Sequence, residues 1–259
     1  MVDLVCALIL LAYMALVTAT YGVFALLPAR APNKRLDGHG GVMLSRGIME
    51  VAYKLFDPLI DLLLALRITP NMVTAFSLFP AFFSAICVAG GHFGLGALLA
   101  TFSGFCDMVD GILARRYNSM SDVGELFDAA MDRYVEFFLL AGLTYYFRNH
   151  AVTEVVCLGA ILGSFMVSYA TAKAEALGVP PPSGAMRRAE RAVYLILGCV
   201  LVPVWARFMP EPHVIGGLFL GRELPVQLAM LVVAVVANVS AVRRMVRTAQ
   251  LIRVKKRAV

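Results

Sequence analysis

The chain has 259 residues, of which 60% are hydrophobic and 15% charged, and its mean hydropathy is +0.79. These values exclude an ordinary soluble domain and leave an integral membrane protein. The formal charge of +6 then reports topology and attraction to anionic headgroups rather than nucleic-acid binding.

The first apolar run, Leu4 to Leu27, lacks a basic leading region, carries Asp3 instead, and is too long for the apolar part of a signal peptide. It reads as a retained transmembrane helix, ended by the Pro- and Gly-rich linker PARAPNKRLDGHGG, so that residues 1–41 form a first unit. In residues 42–67 the pattern changes. Arg46, Glu50, Lys54, Asp57 and Asp61 recur at three- or four-residue intervals among Leu, Ile, Phe and Met, which predicts an amphipathic interfacial helix with a kink near Pro58.

Residues 68–259 form the third unit. From Ile68 to Cys106 there is no charged residue, and AGGHFG (residues 89–94) splits the run into two spans joined by a tight turn. Further spans are predicted at Gly124 to Phe147, Val155 to Ala172, Ala192 to Ala206 and Leu224 to Val242. The fold class is therefore an all-α membrane protein with six core helices, an extra N-terminal transmembrane helix and an interfacial helix. Lys and Arg gather on alternate connections, at Arg30 to Arg67, Arg115 and Arg116, Lys173 to Arg191, and Arg243 to Arg257. By the positive-inside rule that side is cytoplasmic, and the C-terminal RVKKRAV reads as a solvated anchor for anionic lipid.

Five cysteines, Cys6, Cys87, Cys106, Cys157 and Cys199, lie in apolar runs without paired spacing, which suggests neither disulfides nor zinc. His39, His92, His150 and His213 fall in turns or linkers and read as interfacial rather than as metal ligands.

One stretch breaks the hydrophobic pattern. DMVDGILARRYNSMSDVGELFDAAMD, Asp107 to Asp132, puts five aspartates between two membrane helices, on the basic side, four of them (Asp107, Asp110, Asp128 and Asp132) in pairs at helical spacing. Asp107 and Asp110 share a helix face, as do Asp128 and Asp132. Four converging carboxylates repel one another unless hard cations sit among them, and an oxygen-only donor set selects Mg²⁺ or Mn²⁺ over zinc. Gly111, Ala114 and Gly124 are small enough to admit a ligand, and Arg115 offers a forked donor for phosphate.

The spacing D-x₂-D-G-x₂-A-R-x₈-G-x₃-D-x₃-D resembles the CDP-alcohol phosphotransferase signature at every position, over a core from about Thr69 to Val246. The resemblance implies a six-helix membrane fold in which an alcohol displaces CMP from a CDP-linked lipid such as CDP-diacylglycerol. It also implies that Asp107, Asp110 and Asp128 hold one divalent ion and that Asp107, Asp128 and Asp132 share a second. Asp132 is then the base that takes the proton of the attacking hydroxyl. Asn71, Thr74, Gly111, Ala114, Arg115 and Gly124 are the CDP-binding residues implied, and a homodimer is the expected assembly.

The acceptor alcohol is expected to carry phosphate, because SYATAKAEALGVPPPSGAMRRAER brings Lys173, Arg187, Arg188 and Arg191 to the same side. The same cations also satisfy the positive-inside rule without any ligand. This stretch is similar to that of prokaryotic phosphatidylinositol-phosphate and archaetidylinositol-phosphate synthases, with Arg in place of the first Glu of an ERAER-like run. Inositol phosphate is the acceptor favoured. Glycerol 3-phosphate, serine, free inositol or a CDP-linked headgroup share the same signature. Readings from other classes are a transporter with a carboxylate-lined cation path and a catalytically silent scaffold.

Overall fold

A computed structural model describes residues 1–26, 46–117, 121–209, 213–215 and 218–257, with side chains for most of them. The elements run α1 (Val2–Leu26), α2 (Arg46–Ala65), α3 (Pro70–Ala89), α4 (Phe93–Tyr117), α5 (Asp122–Tyr146), α6 (Ala151–Ala176), α7 (Arg188–Trp205), β1 (His213–Ile215), β2 (Leu218–Leu220) and α8 (Leu224–Arg257). Among the described residues, α1, α3, α4, α6 and α8 are long and apolar enough to cross a membrane. The helices α5 and α7 fall outside that set because their leading halves carry charges such as Asp128, Asp132, Arg188 and Arg191.

Helix ends follow local chemistry. The AGGHFG turn closes α3 with Gly91 in the left-handed region at φ 83, so that the His92 N–H reaches Cys87 O at 2.8 Å and the Gly91 N–H reaches Val88 O at 2.9 Å. Gly178 ends α6 in the same way, with the Val179 N–H on Ala174 O at 3.1 Å. At the start of α4 the cap comes from a distant segment. The Asp3 carboxylate of α1 accepts the Leu95 N–H at 3.0 Å and lies 3.1 Å from His92 Nδ1.

The main core joins α1 (Ala7, Leu10) to α4, α5, α6, α7 and α8 through Phe93, Leu140, Ala160, Cys199 and Met230. A second, smaller core seats Ile60 of α2 on Val73, Cys106, Val109, Ile112 and Leu113 of α3 and α4. Beside it Arg116, one residue past Arg115, pairs with Asp57 and lies 4.0 Å from Asp61 of α2. Three hydroxyl bonds stitch α3 to α4 along their length. Ser84 Oγ donates to Gly96 O at 2.7 Å, Ser103 Oγ to Ser77 O at 2.9 Å, and Thr74 Oγ1 to Asp110 Oδ2 at 2.6 Å.

One expectation changes. The 34-residue α8 does not stop near Val242 but continues to Arg257, about 51 Å in all against a hydrocarbon core of about 30 Å. Its extension is held by the loop before α7: Arg244 Nη2 donates to Gly184 O at 3.1 Å, Arg247 Nη1 to Ser183 O at 3.4 Å and Lys255 Nζ to Gly178 O at 3.0 Å. The fold is all-α as expected, apart from a small antiparallel hairpin in which His213 pairs with Leu220 and Ile215 with Leu218. The cysteines are free, and His39 and the 27–45 linker lie outside the described residues.

The α3–α5 contact is close enough to test. A Cβ added at Gly142 of α5 would come to 2.6 Å from Ala85 O of α3, a backbone atom that cannot step aside, whereas one added at Gly104 meets nothing within 4 Å. Gly142→Ala is expected to destabilise the fold by about 1–3 kcal/mol, seen as a lowered thermal midpoint in detergent, with Gly104→Ala within about 0.5 kcal/mol of the parent.

Candidate active site

The four aspartates of the signature come from the facing ends of two helices. Ser121 caps α5, its Oγ accepting the Gly124 N–H at 3.1 Å, and Asp122 and Glu125 suit the positive end of the helix dipole. That start sets Asp128 and Asp132 on one face, opposite Asp107 and Asp110 of α4. One carboxylate oxygen from each of Asp107, Asp110 and Asp128 lies within 4.8 Å of the others. Among the described residues this is the one cluster with metal-ligand spacing, and it contains no histidine.

Each carboxylate has a different second partner. Asp110 is buried at 6% exposure and spends Oδ2 on the Thr74 hydroxyl. Asp128 Oδ1 is buried with no hydrogen-bond partner. Asp107 Oδ1 takes Arg188 Nη1 at 2.9 Å, and the same guanidinium nitrogen pairs with Asp132 Oδ1. A buried anionic oxygen without a donor is costly, and three convergent carboxylates repel one another. The donor set, all oxygen and one of it unsatisfied, therefore fits a hard divalent cation.

Beside this cluster lies an open cavity of about 710 Å³. Its walls include all six residues expected at a CDP site, Asn71, Thr74, Gly111, Ala114, Arg115 and Gly124, with Asp110 and Asp128 at one edge. A Cβ at Gly124 would press to 3.2 Å from Ser121 Oγ and to 3.8 Å from Asn71 Oδ1, so glycine keeps that wall thin. A second cavity of about 350 Å³, mainly apolar, lies on the other side of Asp107 between α3, α4, α5 and α7, with Arg188 and Glu136 at its polar end. Phe105 in its wall meets Tyr13 of α1 edge to face, the ring centroids 5.6 Å apart.

The four cations expected at the acceptor end do not stand together. Arg188 is part-buried among the carboxylates, while Lys173 and Arg187 are exposed and line neither cavity. Arg191 departs furthest from the expectation. It is 0% exposed, and its Nε and Nη2 grip both oxygens of Glu136 at 2.5 and 2.8 Å while Nη1 donates to Met186 O at 2.5 Å. Glu190 accepts the Met186 and Arg187 N–H groups at 2.8 and 3.2 Å. Glu136 was not among the expected site residues, although its place four residues after Asp132 puts it on the same helix face.

The CDP-alcohol phosphatidyltransferase family model matches residues 67–237. The phosphatidylinositol phosphate synthase of Cutibacterium acnes is 30% identical over 199 residues, covering 74% of this chain and 93% of that protein. The fold matches that of Mycobacterium tuberculosis phosphatidylinositol phosphate synthase solved with CDP-DAG bound, with a TM-score of 0.65 at 23% identity over 75% of this chain and 94% of that one. The same enzyme in complex with manganese and citrate matches with a TM-score of 0.64 at 24% identity, over 74% of this chain and 87% of that one. With two-thirds of its length matched by the family model and the aspartate array brought together at one end of the bundle, the chain belongs to the CDP-alcohol phosphatidyltransferase family.

Proposed function

We propose that this chain transfers a phosphatidyl group from CDP-diacylglycerol to a hydroxyl of inositol phosphate, releasing CMP. The observation that carries the acceptor is Arg188, a part-buried guanidinium that touches both Asp107 and Asp132 and so stands beside the attacking hydroxyl as well as beside the metal ligands. A phosphorylated acceptor matches its forked donors, and the C. acnes relative at 30% identity is named a phosphatidylinositol phosphate synthase.

Asp107, Asp110 and Asp128 would hold one divalent ion, Mg²⁺ or Mn²⁺, and Asp107, Asp128 and Asp132 would share a second. When bound, such ions would supply charge neutralisation on the diphosphate of the donor and alignment for in-line displacement. The chain's own groups do the rest. Asn71, Thr74, Gly111, Ala114, Arg115 and Gly124 seat the CDP moiety in the 710 Å³ cavity, where backbone kept bare at Gly111 and Gly124 lets the nucleotide approach. Asp132 accepts the proton of the acceptor hydroxyl, and Arg188 holds the acceptor phosphate, with Lys173 and Arg187 adding positive potential around the approach. Thr74, by occupying one oxygen of Asp110, turns the other toward the cluster.

The active end faces the cytoplasm, where the basic residues collect, in a multi-pass protein of the cytoplasmic membrane working as a homodimer. Residues 1–41 and 42–67 are units distinct from the one that carries the catalytic residues, 68–259.

The test is CMP release by purified protein with CDP-diacylglycerol and Mg²⁺ or Mn²⁺, across inositol 1-phosphate, glycerol 3-phosphate, free inositol and serine. Inositol 1-phosphate is expected to give the highest kcat/KM. Faster release with an unphosphorylated acceptor would overturn the choice of acceptor. In the same assay Asp132→Asn is expected to lower kcat by about 10²- to 10⁴-fold, the contribution of a positioned general base.

A second measurement addresses the ions. Thr74→Val keeps the shape of the side chain but frees the Asp110 oxygen, and it is expected to weaken Mn²⁺ binding about tenfold, read by electron paramagnetic resonance on the protein without lipid. Unchanged Mn²⁺ affinity would remove Thr74 from the metal shell.

A further inference from the structure

Two ionic rungs join α5 to α7 at the polar end of the 350 Å³ cavity. The outer rung, Asp132 with Arg188, also takes in Asp107. The inner rung, Glu136 with Arg191, is one helical turn deeper and nearly closed to solvent, with side chains 7% and 1% exposed. On α5 the two acids are four residues apart, and on α7 the two arginines are three apart, so each rung sits on the same pair of faces.

The inner rung does more than join two helices. Arg191 uses its remaining nitrogen on Met186 O, in the turn that leads into α7. Met186 is a non-glycine residue in the left-handed region at φ 61, and the Glu190 carboxylate holds its N–H as well as that of Arg187. Ser240 Oγ of α8 donates to Ala185 O at 2.7 Å, and Arg244 Nη2 to Gly184 O at 3.1 Å. The backbone immediately before Arg188 is therefore tied at consecutive residues, and the tie to α5 runs through Glu136.

A pair of apolar side chains would join α5 to α7 at least as well as a buried ion pair, because the desolvation of two charges offsets most of their attraction. What an apolar pair cannot do is fix the direction of a backbone carbonyl two residues ahead of Arg188. We infer that Glu136 is a positioning residue for the transfer reaction: acting through Arg191 and Met186 O, it sets where Arg188 stands relative to Asp107 and Asp132. This rests on the proposed role of Arg188 at the acceptor end. Arg191 thereby has a part in the site without contact with substrate.

The experiment is a mutant cycle on the full chain. Glu136→Leu with Arg191→Met removes both charges at similar volume, and it is made in the parent and in an Arg188→Gln background. Equilibrium binding of CDP-diacylglycerol without acceptor serves as the readout that a general loss of structure would move. In the parent background the paired substitution is expected to raise the KM for the acceptor the enzyme uses by about ten- to a hundredfold, the scale of an ångström-sized misplacement. CDP-diacylglycerol affinity should stay within about twofold, as for an independent site. In the Arg188→Gln background the same substitutions are expected to change KM by less than about twofold.

An unchanged acceptor KM in the parent background, or an equal effect with and without Arg188, would overturn the inference. So would a loss of lipid binding in step with the loss of acceptor binding. If the paired variant does not fold, Glu136→Gln, which keeps the shape and one acceptor oxygen, is carried through the same cycle and decides the matter by the same criteria. An acceptor preference for an unphosphorylated alcohol would instead defeat the proposed reaction, and the cycle would still report on Glu136 with that alcohol.

Discussion

Four carboxylates at the meeting ends of two apolar helices constitute the electrostatic problem that the surrounding structure is built to manage. In a medium of low polarisability they repel one another and pay heavily for lost hydration, so each needs a donor or a cation. The chain supplies three kinds of relief. A neutral hydroxyl, Thr74, serves the most buried of them; a guanidinium, Arg188, spans two; and the Asp128 oxygen, which has no hydrogen-bond partner, has the chemistry that suits a cation.

Holding those groups at fixed separation falls to elements that carry no chemistry themselves. The serine and threonine bonds between α3 and α4 fix the sliding of one helix along the other, and their last member is the bond to Asp110. The bare face of Gly142 allows α3 and α5 to approach until backbone meets backbone. From the outside α2 packs Ile60 against the same helix ends and pairs Asp57 with Arg116. Rigid helices meeting over small side chains hold a site more firmly than loops would, which matters for a reaction that depends on positioning and charge more than on covalent chemistry.

Much of this was legible in the sequence because it is periodic or local. Apolar runs of membrane length, the Gly-Gly turn at residue 90 and the aspartate spacing each encode their own structure within a few residues. Contacts between distant segments left no such trace. Asp3 could not be recognised as the cap of α4, since the 89 positions to His92 carry no pattern that links them. Arg191 read as one of four cations for a phosphorylated acceptor because its partner, Glu136, lies 55 residues away and only packing brings them together. The end of α8 was misplaced for a different reason: hydropathy marks where a helix leaves hydrocarbon, and a helix with polar partners continues past that point. The hairpin at His213 to Leu220 did have a signal, Gly216-Gly217 between β-branched and aromatic triplets, which the search for membrane-length runs passes over.

The long tail of α8 also has a consequence for the order of synthesis. The loop from Gly178 to Ala185 emerges from the ribosome before α7, yet its carbonyls at Gly178, Ser183 and Gly184 receive their donors from Lys255, Arg247 and Arg244, which lie 77, 64 and 60 residues further along the chain. At a translation rate of about 5–20 residues per second the interval is several seconds. During that time the aspartates are already in the membrane, while the backbone that aims Arg188 at them still lacks its clamp. Translation thus completes the two aspartate helices before the clamp on the segment that leads to Arg188, so the carboxylate cluster can form before the rest of the site is fixed.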